Sequence, residues 1–411
     1  MAVITPFRAL RPTADSAARV AAVPYDVVNT EEAQALAKNN PLSFLHVSRA
    51  EIDLPRDTNP YSDSVYAKAV ENFTTLKSAA PLVVEDRPSL YVYRLRMGGH
   101  EQTGVAGAFS VDEYDRDIIK KHERTRRDKE DDRTRHIVEL RAQTGPVFLT
   151  YNASADVDAV VERVTTRTPL FDFTAADGVA HTIWKVDAAD ESALVAAFGR
   201  IPALYIADGH HRAASAARAR RQLAATGAGG AGRASEADAD RFLAVAFPGN
   251  QMQVLPYNRV VKDLASYTPE SLLATLREQF ELTEGPATPG RHGEVAMYLG
   301  GKWYTLPMSA PPAGASAADR LDVSRLQDTV LTPLLGIGDV RSDKRIDFVG
   351  GARGTKELEK LVDSGKFAVA FSMYPVSVDD LMAISDAGGI MPPKSTWFEP
   401  KLRDGLLIHE I

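Results

Sequence analysis

The residues best suited to chemistry stand together at Asp208-Gly209-His210-His211-Arg212, directly after the apolar run Ala203-Leu204-Tyr205-Ile206-Ala207. A strand that ends in Asp-Gly and passes into a helix gathers backbone N–H groups and the positive end of the helix dipole at one point, which suits an anionic oxygen. Gly209 lets the backbone approach a ligand closely, Arg212 can hold a phosphate through two parallel hydrogen bonds, and His210 and His211 can donate or carry protons. Asp208 is a candidate Mg²⁺ ligand, because Mg²⁺ meets proteins through one or two carboxylates plus substrate phosphates. Two readings compete: an ordinary Asp-Gly turn whose histidines cap a helix, and a zinc site, which would need further ligands because adjacent histidines do not converge on one ion alone.

A second group of candidates lies upstream, in the charged run Lys120-Lys121-His122-Glu123-Arg124-Thr125-Arg126-Arg127-Asp128-Lys129. Lys120, Lys121, Arg124, Lys129 and Arg133 can neutralise phosphate oxygens, although the whole stretch from Tyr114 to Arg141 also has the pattern of a solvated helix face with i,i+4 ion pairs. Tyr25 and Asp26, in Pro24-Tyr25-Asp26-Val27-Val28, are candidates to line the same cleft or simply form a turn. Lys394, in Pro392-Pro393-Lys394-Ser395-Thr396, either reaches a site or belongs to an extended segment that completes the fold.

The elements that must position these residues read as an α+β arrangement of mixed small sheets with helices, without regular βαβ alternation. Strand-like runs fall at Phe7–Leu10, Ser43–Val47, Gly145–Tyr151, Ala203–Ala207, Phe242–Phe247 and Phe367–Phe371, and hairpins at Leu90–Ser110 and Val295–Leu306, the latter turning at Gly300-Gly301. Helical patterns fall at Glu31–Ala37, Ser64–Leu76, Ala213–Ala225, Pro269–Phe280, Ser324–Leu335 and Thr355–Val362. With 411 residues the chain exceeds the roughly 250–300 at which one core stops growing, so more than one core is expected. The composition shifts suggest an N-terminal α+β segment over 1–112, a central segment over 113–265 that carries the Asp208 turn, and a C-terminal α+β segment over 266–411. Within the central one, the glycine-rich stretch 226–239 reads as a flexible insert.

Composition narrows the chemistry further. A formal net charge of −7 and a sequence pI near 5.8 give no global attraction to a polyanion, and no helix-turn-helix is recognisable, so nucleic acid is not an expected partner. The absence of cysteine excludes disulfides, thiolate zinc sites, iron–sulfur clusters and cysteine nucleophiles together. The first residues lack a basic region followed by an apolar run, and nowhere do 18 apolar residues follow one another, so a cytoplasmic protein without a membrane partner is expected.

The segment Leu204–Arg212 resembles the phosphate-binding segment of the ParB–sulfiredoxin superfamily, most closely that of the archaeal free-serine kinases. Together with Pro24–Val28, Lys121–Thr125 and Met391–Phe398, it also resembles the domain-of-unknown-function 1015 family over essentially the full length. The resemblance implies a ParB–sulfiredoxin-like core that binds ATP or ADP with Mg²⁺ through Asp208 to Arg212, and a small hydroxyl metabolite as acceptor, free L-serine first. It also implies that Glu123, in the His122-Glu123 pair, is the base that deprotonates the hydroxyl. Sulfiredoxins use a cysteine in this turn, so their sulfinic-acid reduction is excluded here. Two other classes stay open: a ParB-like nucleotide switch or nucleoside-triphosphate hydrolase, and a non-catalytic partner-binding protein.

Overall fold

A computed structural model describes residues 1–79, 82–226 and 236–411. The described residues fall into two compact units: Met1–Lys121, Thr125–Met252 and Pro400–Ile411 form the first, and His122–Arg124 with Gln253–Glu399 the second. Most of the expected flexible insert, residues 227–235, lies outside the described residues, and Glu236–Ala239 at its end is a short helix.

The first unit is built on a nine-stranded mixed sheet. Its order runs Ile119–Lys120, Leu204–Asp208, Val147–Tyr151, Arg241–Pro248, His100–Ser110, Tyr91–Met97, Ala180–Lys185 and Phe171–Thr174, with Ile4–Thr5 added on His100–Ser110. Arg241–Pro248 runs parallel to Val147–Tyr151, while Leu204–Asp208 runs antiparallel to it, so the sheet is mixed where the Asp208 turn leaves it. One face carries Val92, Val105, Phe109, Leu149, Ile206 and Phe242 into a core with the helices Ala155–Thr165, Ala188–Phe198 and His210–Thr226. The last of these buries alanines at 213, 214, 216, 217 and 219 and packs on the helix Arg127–Leu140, because side chains ending at Cβ let two helices approach.

A four-stranded sheet completes the unit in the order Leu82–Val84, Ala9–Pro12, Ile408–Glu410, Ala142–Gln143. Its core joins Leu10, Phe44, Val47, Val65, Phe73 and Ile408. The run Ser43–Val47, expected as a strand, is instead the short helix Leu45–Ser48. Five apolar-rich residues fit either conformation by pattern, and here a helical turn places Leu45 and Val47 in the core while Phe44 meets the ring of Phe73 on the helix Asp63–Ala79.

The second unit is a six-stranded antiparallel sheet in the order Thr283–Glu284, Lys302–Pro307, Glu294–Leu299, Val369–Met373, Tyr257–Val261, Ile346–Gly350. The helix Gly354–Asp363 covers it through Leu358, against Val260, Tyr298 and Phe367. Gly300 and Gly301 have φ of 60° and 80°, the left-handed pair that a two-residue hairpin turn requires, as their sequence implied. Secondary structure of both kinds, in mixed and antiparallel sheets, makes the protein α+β. Among the described residues no helix is long and apolar enough to cross a membrane.

Candidate functional site

Strand Leu204–Asp208 ends at the carboxylate, and Gly209, at a φ of 93°, turns the chain into the helix His210–Thr226. The left-handed backbone is one reason for glycine; the other is Arg212, whose Nε lies 2.9 Å from where a Cβ on residue 209 would stand. Arg212 thus folds back over the turn. It is buried, donates from Nη1 to the carbonyl of Pro146, and lies 3.5 Å from Asp208 Oδ2.

Asp208 Oδ1 accepts the Gly209 amide at 2.9 Å, and Oδ2 accepts Lys401 Nζ at 3.2 Å. Burial works to raise the Asp208 pKa, but Lys401 and Arg212 outweigh it and hold the group well below the usual carboxylate range. His211 Nε2 accepts the backbone amide of Arg126 at 3.0 Å. An amide only donates, so Nε2 is unprotonated and the imidazole fastens the start of helix Arg127–Leu140, whose N-cap Arg126 supplies no side-chain cap.

Arg212 of the turn borders a small cavity of about 40 Å³, lined also by Tyr25, Arg133, His136, Gly145, Phe242 and Asp404. Asp404 is 3% exposed and accepts no side-chain hydrogen bond among the described residues. Burial pushes its pKa up to about 7; Arg212 opposes the shift and Asp26 adds to it. The carboxyl fits because residue 145 is glycine: a Cβ there would stand 2.5 Å from Asp404 Oδ1. The backbone of Asp404 pairs with Ala22 in an antiparallel bridge, three residues before Tyr25.

Tyr25 and Asp26 form the turn that Pro24 announced, with Val27 N donating to Pro24 O at 3.2 Å. The ring of Tyr25 is buried under Arg133, whose guanidinium carbon lies 4.2 Å from the ring centroid. Exposed Asp26 acts through space on Arg212 and Asp404. Arg133 Nε binds Asp132 Oδ2 at 2.8 Å, and Tyr66 donates to Asp132 Oδ1 at 2.8 Å. The helix Arg127–Leu140 is therefore more than a solvated face, since Asp132, Thr134, His136, Ile137 and Leu140 are buried on it.

A larger cavity of about 220 Å³ shares Tyr25, Ser48, Arg133 and His136 with the small one and adds Arg49, Tyr61, Tyr66, Lys129 and Asp132. Of the candidates in the charged run, Lys129 and Arg133 thus line a cavity. Lys121 instead bonds Tyr114 O and Asp117, both at 2.7 Å. His122, Glu123 and Arg124 belong to the second unit, where Met391 N donates to His122 O at 2.8 Å. Lys394 lies there as well: its carbonyl accepts Arg259 Nη2 at 3.0 Å and its ammonium sits 5.5 Å from the Tyr257 ring centroid.

Lys401 and Asp404 went unnoticed in the sequence. A signal was present: Lys401, Arg403 and Asp404 interrupt an apolar stretch whose Leu402, Leu406, Leu407 and Ile408 are all buried, and charges embedded among core residues need partners.

A family model described as a protein of unknown function, DUF1015, matches residues 4–324. No curated protein matches the chain. Among solved structures, a free serine kinase in complex with AMP is similar at 13% identity and a TM-score of 0.35, covering 73% of this chain and 91% of that one. A C-terminally truncated SbnI from Staphylococcus aureus is similar at 13% identity and a TM-score of 0.39, over 73% of this chain and 85% of that one. A conserved hypothetical protein from Pyrococcus furiosus is similar at 16% identity and a TM-score of 0.33, over 74% of this chain and 94% of that one.

Proposed function

The chain belongs to the DUF1015 family of proteins of unknown function, and for this member we propose nucleotide-dependent phosphotransfer to a small hydroxyl metabolite, with free L-serine as the first acceptor and O-phosphoserine as its product. The supporting observation is the strand-to-helix turn at which ionised Asp208 stands between Lys401 and Arg212, the last of which lines the small cavity. Phosphoryl transfer asks mainly for positioning and charge neutralisation, together with a base. In this reading the segment 113–265 holds the donor nucleotide, ATP or ADP, as the likeness of Leu204–Arg212 to the ParB–sulfiredoxin phosphate segment implies.

The acceptor oxygen attacks the terminal phosphorus, the bond from that phosphorus to the departing nucleotide oxygen breaks, and the hydroxyl proton passes to a base. Glu123, next to His122, takes that role by resemblance. Lys401 and Arg212 supply the positive charge at the turn. Asp208 is the group that would hold Mg²⁺, because it is ionised and a carboxylate offers about four lone-pair sites, of which Gly209 and Lys401 take two. Bound there, Mg²⁺ would neutralise phosphate charge and orient the transferring group.

The test is incubation with L-serine and either ATP or ADP plus Mg²⁺, followed by mass-spectrometric detection of O-phosphoserine. Other small hydroxyl compounds run in parallel. Accumulation of free phosphate with no phosphorylated acceptor would move the protein to the hydrolase or switch class.

A further inference from the structure

We propose that the 220 Å³ cavity of the first unit binds a small hydroxy monocarboxylate. Its volume lies below the roughly 300–1,000 Å³ of pockets for drug-sized ligands, so it takes a metabolite of a few heavy atoms. The identity of the ligand follows from charge, from one unsatisfied hydroxyl, and from the apolar part of the wall.

Three cations line the cavity, Arg49, Lys129 and Arg133, against two carboxylates, Glu51 and Asp132. Arg133 is paired with Asp132 at 2.8 Å, and Arg49 Nε lies 2.9 Å from Glu51 Oε1, close but outside hydrogen-bond alignment. Lys129 has no carboxylate partner among the described residues; its ammonium donates to Tyr61 OH at 2.8 Å. His136 adds no charge, because burial and Arg133 push its pKa down to about 3. The wall is thus one positive charge in excess, which a monoanion balances. A dianion would leave uncompensated negative charge in a partly desolvated site.

Tyr25 supplies the second observation. It is 5% exposed, lines both cavities, and its hydroxyl makes no protein hydrogen bond among the described residues. Burial and Asp26 raise its pKa, so the proton stays on and the group both donates and accepts. Beside it, His136 Nε2 donates to Val47 O at 3.1 Å, which leaves Nδ1 of the neutral ring as an acceptor. A ligand hydroxyl satisfies both groups. Val47, Val65 and Ala69 line the remainder and accept a short apolar stem.

The inference rests on the phosphotransferase reading only in taking the bound acid as the acceptor, so binding is measured without nucleotide. Calorimetric titration of the full chain with the monoanions lactate and glycerate is compared with their uncharged counterparts propane-1,2-diol and glycerol. Saturable binding of at least one acid, with no binding of its uncharged counterpart, is expected. Lys129→Met should weaken it about tenfold to a hundredfold, as for loss of a charge-assisted contact, and Tyr25→Phe should weaken hydroxy acids more than acetate. Equal binding of diol and acid, wild-type affinity in Lys129→Met, or no binding by either acid overturns the proposal. Binding without transfer from ATP or ADP would sink the kinase reading alone, and transfer to glycerol with no acid binding would sink only the site.

Discussion

Lys401 Nζ stands 3.2 Å from Asp208 Oδ2 across 193 positions of sequence. The contact ties the Pro400–Ile411 segment to the strand-to-helix turn and supplies the cation that, with Arg212, keeps Asp208 ionised. Lys401→Met should therefore cost about 1–3 kcal/mol of stability at pH 7. Since the folded pKa of Asp208 lies below its unfolded value, this stabilisation is present above pH of about 4 and is lost as the pH falls through the folded pKa. Urea unfolding at pH 7 of wild type, Lys401→Met, Asp208→Asn and the double variant measures it; strictly additive deficits would show that the two side chains are not coupled.

Asp404 should give the opposite trend. Its folded pKa of about 7 exceeds the unfolded value near 4, so its contribution is fully present below pH of about 4 and is lost as the pH rises toward and through 7. Asp404→Asn removes that dependence. Relative to wild type, the variant should gain up to about 4 kcal/mol between pH 4 and pH 8, the ceiling set by the gap between the unfolded and folded pKa values. A pH-independent difference would mean that Asp404 ionises normally.

Arg212→Ala should destabilise the protein by about 3–5 kcal/mol, because it strips a buried cation from Asp208 and Asp404 and leaves the Pro146 carbonyl without its donor. The informative substitution for ligand binding is Arg212→Lys, which keeps the charge and loses the planar fork. Nucleotide affinity measured by thermal shift should fall at least about tenfold in the folded Lys variant. Wild-type affinity there would remove Arg212 from the phosphate site.

Glu123→Gln separates binding from chemistry. If Glu123 takes the acceptor proton, nucleotide affinity should stay near wild type while turnover drops about 10²–10⁴-fold. Undiminished transfer would assign the proton to another group, and Asp404 is the next to test, because its pKa of about 7 matches a base working near neutrality.

Local elements were legible where the backbone has one cheap solution. The strand before Asp208 and the Gly300-Gly301 hairpin follow from an apolar run and from glycines that tolerate positive φ. The helix after the turn begins at His210 rather than Ala213, because Gly209 alone makes the break and the polar residues already lie on the first turn. Tyr25 and Arg133 were legible as candidates, but not their stacking, which requires knowing that residues 25 and 133 meet in space. Lys401 and Asp404 escaped for the same reason: pairing over such separations is set by sheet register, which local pattern does not encode.

Strand Ile408–Glu410 pairs with Ala9–Pro12 on one side and Ala142–Gln143 on the other. During synthesis those two neighbours emerge long before it, and residues 253–399 of the second unit must leave the ribosome in between. At about 5–20 residues per second, those 147 residues impose a wait of about 7–30 s. Throughout that interval the nascent first unit carries two open strand edges and an Asp208 without its lysine. The polar turn is thus assembled last, and a nascent chain stalled before residue 400 exposes the edges at which chaperones, or another unfinished copy, would bind.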